Sequence, residues 1–170
     1  MITRIRAARD EDFDAIAAIT NHYIANTTVH FAYGPVTPEE MRAQRTARHP
    51  FLVYEENGHV VAYAKAGVWR TREAYAWTPE LGVYVSHTAR GRGVGRAVYE
   101  ALLVECERAG FRSVVAGITM PNEASVKLHV ALGFEYVGTF RDAGWKHGTW
   151  NDVAWYQKRF ATDAAGPRTS

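Results

Sequence analysis

The sequence predicts a mixed α/β domain whose central sheet is mostly antiparallel and flanked by helices. Three observations carry that expectation. Apolar residues alternate in short runs near both ends of the chain, as in half-buried strands, and recur every three or four residues between them, as on helix faces. Asn57-Gly58 lies between two runs of β-forming residues, and both residues tolerate the positive φ of a tight hairpin. A strand–helix–strand order between residues 81 and 118 is long enough for a parallel crossover, which a hairpin cannot provide.

Each element has its own cause. Residues 2–8 alternate apolar and polar and form the first strand. Asp10-Glu11-Asp12 puts acids at a helix N-terminus, where the macrodipole favours them. Phe13, Ile16, Ala17, Thr20, Tyr23 and Ile24 then share one helical face. Thr37-Pro38-Glu39-Glu40 is a capping box with proline at the first helical position, and its helix must end before Pro50. Residues 51–54 and 60–64 are strands around the Asn57-Gly58 turn, and 81–85 is another. Helical spacing returns at Val94, Ala97, Val98, Ala101 and Leu102 and runs to Gly110. Residues 113–118 are a buried strand broken by Pro121-Asn122, and 123–132 a helix stopped by Gly133. Residues 134–140 and 153–158 close the sheet. Residues 1–160 therefore make one domain, and 161–170 have the composition of a disordered tail.

Composition limits the function. With 170 residues, 47% hydrophobic and 22% charged, the chain can bury a core without staples. No apolar run approaches the roughly 20 residues of a membrane helix, so no membrane partner is expected. Cys106, the single cysteine, can form neither an internal disulfide nor a zinc cage; it reads as a small core residue, and a reducing cytoplasm is the expected compartment. The seven histidines are dispersed without metal-ligand spacing, so no metal is expected. A net charge of +2 and a single basic–aromatic cluster, Trp145-Lys146-His147, argue against a nucleic-acid partner.

Arg90-Gly91-Arg92-Gly93-Val94-Gly95-Arg96 lies between a strand and a helix. Glycines there let backbone N–H groups point at an anion, and the helix N-terminus adds its partial positive charge. A dinucleotide fingerprint fails because Arg96 and Val98 stand where its last glycine is needed, and no Gly-Lys-Ser/Thr occurs for a Walker loop. No acid falls between Ser86 and Val98, so the small net charge reads as a cancellation between an arginine-ringed anion site and the acidic start of the first helix. A pyrophosphate site is the expectation, against the alternative of a plain structural turn.

Arg90-x-x-Gly93-x-Gly95 after a strand, with Asn122, Ser125 and Gly133-Phe134 further on, resembles the acyl-CoA-binding segments of the GNAT N-acetyltransferases. Glu80-Leu81-Gly82-Val83-Tyr84-Val85, Ser125-Val126-Lys127-Leu128-His129, and Lys146-His147-Gly148-x-Trp150-x-Asp152 resemble, more narrowly, the phosphinothricin N-acetyltransferases, over residues 3–160. The resemblance implies a GNAT fold, a homodimer and acetyl-CoA as donor. It implies a pyrophosphate on the amides of Gly91, Arg92, Gly93, Val94, Gly95 and Arg96, a pantetheine arm along Val83, Tyr84 and Val85, and a cofactor contact from Asn122. Gly82 fits a bulge that splays two strands.

Acetyl transfer needs a neutral amine, whereas an aliphatic ammonium is mostly protonated at neutral pH, so a base is useful. The oxyanion that develops needs N–H donors. Glu80 matches the family's catalytic glutamate. His129 replaces the tyrosine that commonly protonates the thiolate in the superfamily and agrees with the phosphinothricin group. The segment holding Arg70, Thr71 and Arg72 is implied to bind the acceptor; in an extended chain Arg70 and Arg72 point the same way, toward an anion. Many relatives carry lysine at the position of Arg70. Phe31, in the 27–36 connection, and Tyr84 match aromatics lining the acceptor site, with Phe31 as a lid. Trp145-Lys146-His147 has a family position that implies a structural or dimer contact. The expected reaction is direct transfer in a ternary complex to a small glutamate-like amino acid such as phosphinothricin or methionine sulfoximine. Two other readings are a peptide or protein N-acetyltransferase, which needs an open groove, and a non-catalytic acyl-CoA-binding regulator, which has no use for Glu80 or His129.

Overall fold

The computed structural model describes residues 2–161, so the expected tail lies, apart from Ala161, outside the described residues. Seven strands form one sheet: β1 (Thr3–Ala7), β2 (Phe51–Glu56), β3 (His59–Gly67), β4 (Glu80–Val85), β5 (Ser113–Thr119), β6 (Glu135–Lys146) and β7 (Thr149–Arg159). Their order is β1-β2-β3-β4-β5-β7-β6. Every neighbouring pair is antiparallel except β4 and β5, as the crossover predicted. The helices are α1 (Phe13–Asn26), α2 (Pro38–Ala43), α3 (Val94–Arg108) and α4 (Glu123–Ala131).

Local signals act where expected. The Thr37 hydroxyl accepts from the Glu40 amide at 3.1 Å and the Glu40 carboxylate accepts from the Thr37 amide at 2.8 Å, closing the capping box. Asn57 and Gly58 take φ of 49° and 85° in the β2–β3 turn. Alternation along β3 serves two cores. Ala62, Ala64 and Ala66 face α3, where Val98, Leu102 and the fully buried Cys106 lie. Tyr63 faces the opposite way, with Phe13, Ile16 and Met41 from α1 and α2.

β4 and β5 share one register pair, Glu80 with Val115, and splay apart beyond it. The expected bulge at Gly82 is absent, because β4 pairs with β3 in unbroken register from Val85 to Glu80. The opening lies wholly on the other edge. The hairpin of β6 and β7 is longer than its sequence suggested, continuing to Lys146 and returning at Thr149. A register shift between Phe140 and Gly144, with Asp142 at φ 49°, breaks the alternation that would have betrayed it. Among the described residues no helix is long and apolar enough to cross a membrane.

Candidate active site

The ladder geometry determines what the splay exposes. The Ser86 amide donates to the Val61 carbonyl at 2.8 Å, extending the β3–β4 register. Amides of an antiparallel strand alternate sides, so those of Gly82 and Tyr84 face β3, while those of Val83 and Val85 face the gap. Tyr23 of α1 marks this edge: its hydroxyl donates to the Val85 carbonyl at 2.9 Å and lies 3.3 Å from the Val85 amide. Val83 is left with its backbone groups toward the opening.

Past β4 the chain makes a 3-10 turn, His87–Ala89, and enters the glycine loop. Gly91 and Gly93 both take φ 77°, and a side chain at either would meet nothing within 4 Å. Glycine is needed there for conformation, and the space before α3 stays open. A groove of about 470 Å³ runs from this loop along Val83 and Val85 to Asn122 and Ser125, with Val94 and Gly95 in its wall. The Asn122 side chain caps α4 by accepting from the Ser125 amide at 3.2 Å.

The acid-free ring of arginines is corrected. Arg92 pairs with Glu56 of β2 at 3.0 Å and Arg96 with Glu100 at 2.8 Å, and neither lines the groove. Folding brings up acids that a window of 13 residues could not show. Arg90 does line the groove, its guanidinium 5.0 Å from the centre of the Tyr23 ring. Of these three arginines only Arg90 presents itself to the groove.

A second cavity, of about 520 Å³, lies beyond the splay. Glu80, Tyr84, Phe31, Arg70, Asn122 and His129 all line it. The two cavities share Val29, Val83, Asn122 and Ser125, so groups bound in each would meet beside β4. Burial raises the Glu80 carboxyl above the usual carboxylate range, a rise that Lys65 and Arg70 partly oppose. Tyr84 stacks on Tyr63 with ring centres 5.1 Å apart, and burial pushes its phenol up to about 12. It is therefore a neutral donor at any ordinary pH.

His129 is 4% exposed and has both ring nitrogens engaged. Nδ1 lies 2.8 Å from the Ser125 carbonyl, which can only accept, so the ring carries its proton on Nδ1. Nε2 is then the acceptor for the Tyr99 hydroxyl at 3.0 Å. Burial holds the imidazole below its usual value, with the Ser125 carbonyl opposing. This is a neutral, fully bonded ring in the cavity wall.

The expected Arg70–Thr71–Arg72 set separates. Arg70 lines the cavity, but Thr71 and Arg72 are exposed and line neither cavity. The segment is no extended strand: it turns into a 3-10 helix, Glu73–Tyr75, with Arg72 at its N-cap. Phe31 lines the cavity from the 27–36 connection. Sequence reasoning missed Val29, His30 and Trp155 in the cavity wall, and Tyr23 on the strand edge; Ser125, named there only within the family-like segment after Asn122, lines both cavities. Tyr23 carried a signal of a kind, since it stood at the end of the apolar face of α1.

A family model described as an acetyltransferase (GNAT) domain matches residues 5–155. A phosphinothricin N-acetyltransferase of Streptomyces viridochromogenes is 46% identical over 163 residues, covering 94% of this chain and 89% of that protein. An L-methionine sulfoximine/L-methionine sulfone acetyltransferase of Salmonella typhimurium is 36% identical, covering 95% and 96%. Among solved structures, a phosphinothricin acetyltransferase from Sinorhizobium meliloti in complex with acetyl-CoA superposes with a TM-score of 0.92 at 33% identity, covering 99% of this chain and 94% of that one. The yncA protein of Salmonella typhimurium, solved with its cofactor acetyl-CoA, gives 0.93 at 35%, covering 98% and 99%. With the open strand edge, the glycine loop and the matched span together, the chain belongs to the GNAT family of acetyltransferases.

Proposed function

We propose that this enzyme transfers acetyl from acetyl-CoA to the primary amine of a small glutamate-like amino acid, of the phosphinothricin or methionine sulfoximine kind, in one ternary complex. The observation that carries the proposal is the position of Glu80, a half-buried carboxyl of raised pKa at the start of the open strand, in the wall of the second cavity. Residues on the donor side fit acetyl-CoA: the open cradle over Gly91 and Gly93 suits a pyrophosphate, and the free edge of Val83 suits an amide-bearing arm. Bound there, acetyl-CoA supplies an activated thioester.

The chain then does three things. Arg70 draws the acceptor carboxylate. Glu80, through a water, takes the proton from the amine; its raised pKa makes it a better base than a solvated carboxylate. Asn122, fixed by its cap to α4, contacts the donor. His129 acts as a positioning residue in this scheme, because its bonds to Ser125 and Tyr99 leave no lone pair or proton free. The relatives acting on phosphinothricin and methionine sulfoximine support the acceptor class.

The same reading includes a homodimer through the β6–β7 hairpin. Tyr136, Val137, Phe140 and Trp145 of β6, the strand with one free edge, and Trp150 of β7 are each 46% or more exposed there. Thiol release from acetyl-CoA with a panel of amino acids and peptides tests the function: turnover with phosphinothricin or methionine sulfoximine is expected. Turnover with peptides alone would overturn the acceptor assignment, and tight CoA binding without turnover would favour a regulator. Sedimentation tests the dimer.

A further inference from the structure

We propose that His30 is a specificity-determining residue, donating a hydrogen bond from a neutral imidazole to an oxygen at the side-chain end of the acceptor. This rests on the second cavity being the acceptor site. His30 lines that cavity with Glu80 and Tyr84, its ring centre 6.1 Å from that of Tyr84. Its Nδ1 lies 3.2 Å from the Ala32 amide nitrogen, a donor only, so Nδ1 is the acceptor. The hydrogen of the neutral ring therefore sits on Nε2. Among the described residues Nε2 has no partner, so this N–H is available to a ligand.

The surroundings keep the ring neutral and fixed. Lys146, only 2% exposed, donates from Nζ to the carbonyl of His30 itself and to that of Ile24, the latter at 2.7 Å. Burial, then the charges of Lys146 from β6 and Lys65 from β3, hold the imidazole below its usual value. Glu80 and Tyr84 of β4 line the same cavity, Tyr84 uncharged. The tip of the β6–β7 hairpin also anchors the residues around His30. The Tyr33 hydroxyl donates to the Trp145 carbonyl at 2.7 Å, His147 Nε2 lies 3.2 Å from the Thr27 carbonyl, and the Phe31 ring fills the space a side chain at Gly144 would need.

A neutral donor has a particular selectivity. It bonds an uncharged sulfone or sulfoximine oxygen and an anionic phosphinate oxygen alike, without demanding a negative charge, while Arg70 serves the carboxylate. It gains nothing from a thioether, whose sulfur is a weak acceptor. A pocket that offers an N–H discriminates against a ligand that leaves it unpaired.

The test is calorimetric binding of methionine sulfone and of methionine to the protein saturated with CoA, in wild type and His30→Ala. The two ligands differ at the sulfur. The variant is expected to weaken the sulfone about tenfold, the scale of one lost hydrogen bond, and methionine less than twofold. Equal weakening of both ligands would show a merely structural role and overturn the proposal, as would an unchanged affinity for the sulfone or its failure to bind wild type. In wild type, nitrogen NMR of the labelled imidazole is expected to show His30 as the Nε2–H tautomer with a signal that moves on adding the sulfone; the other tautomer, or a signal that does not move, also overturns it. None of these readouts needs turnover. Absence of thiol release with every amino acid would instead defeat the functional reading.

Discussion

Single residues carry the sharpest expectations. Glu80→Gln should lower kcat/KM by two or more orders of magnitude on the neutral plateau and abolish the acid limb of the pH profile. In wild type that limb should lie above the ordinary carboxylate range, because burial raises the group. A variant that keeps the wild-type limb would remove Glu80 as the base. Arg90→Gln should raise KM for acetyl-CoA several-fold, whereas Arg92→Gln should change it little, since Glu56 already holds that guanidinium. Steady-state kinetics at fixed salt separates them. Glu80 was singled out by its match to the family's glutamate, and the glycine loop by a local signal, glycines between a strand and a helix; the structure places Glu80 in the wall of one cavity and the loop in the wall of the other. His30 and Tyr23 were not legible in the sequence, since their roles arise from contacts with residues more than fifty positions away.

At the scale of elements, capping and turn signals placed the helices and the β2–β3 hairpin correctly, and the unbroken apolar period of residues 113–118 placed β5. The outer half of the β6–β7 hairpin escaped because its purpose is long-range. Gly144, Trp145, Lys146 and His147 hold the connection between α1 and α2 rather than filling a core with alternating residues. Gly144→Ala should therefore act at a distance: its methyl would collide with the Phe31 ring, so the acceptor wall must move. KM for the amine should rise several-fold while KM for acetyl-CoA stays within twofold. An unaffected acceptor KM would show that the connection adapts freely. The Thr37 cap is a contrasting, local case: Thr37→Ala should cost about 1 kcal/mol of stability in chemical denaturation and leave both KM values alone.

The molecule as a whole should lose stability on the acid side in two stages. His30, His49 and His129 are all held below the ordinary imidazole value, chiefly by burial. Their neutral forms are favoured in the folded state, so their contribution is complete above the unfolded value of about 6.5 and is lost as pH falls toward the folded values. Asp12 follows at lower pH. Burial alone would raise its carboxyl, but bonds from Arg6 and the Arg9 amide outweigh that and hold it down. Its contribution is present above the unfolded carboxylate value and disappears below it. Tm measured from pH 8 to pH 3 should fall first near 6.5 and again below 4; a flat profile down to pH 5 would mean the imidazoles titrate normally.

The single Glu80–Val115 pair between β4 and β5 has a mechanical meaning. It makes the sheet two half-sheets, β1 to β4 and β5 to β6, joined by a narrow seam and by the crossover helix. A molecule lying against the free edge of Val83 acts as a temporary rung across that seam. Binding would then be paid back as cohesion between the halves: saturating CoA should raise Tm by mass action and slow amide exchange at Val83 and along β5 more than in β1 or β2. Donor binding would thus finish a sheet that the polypeptide leaves incomplete.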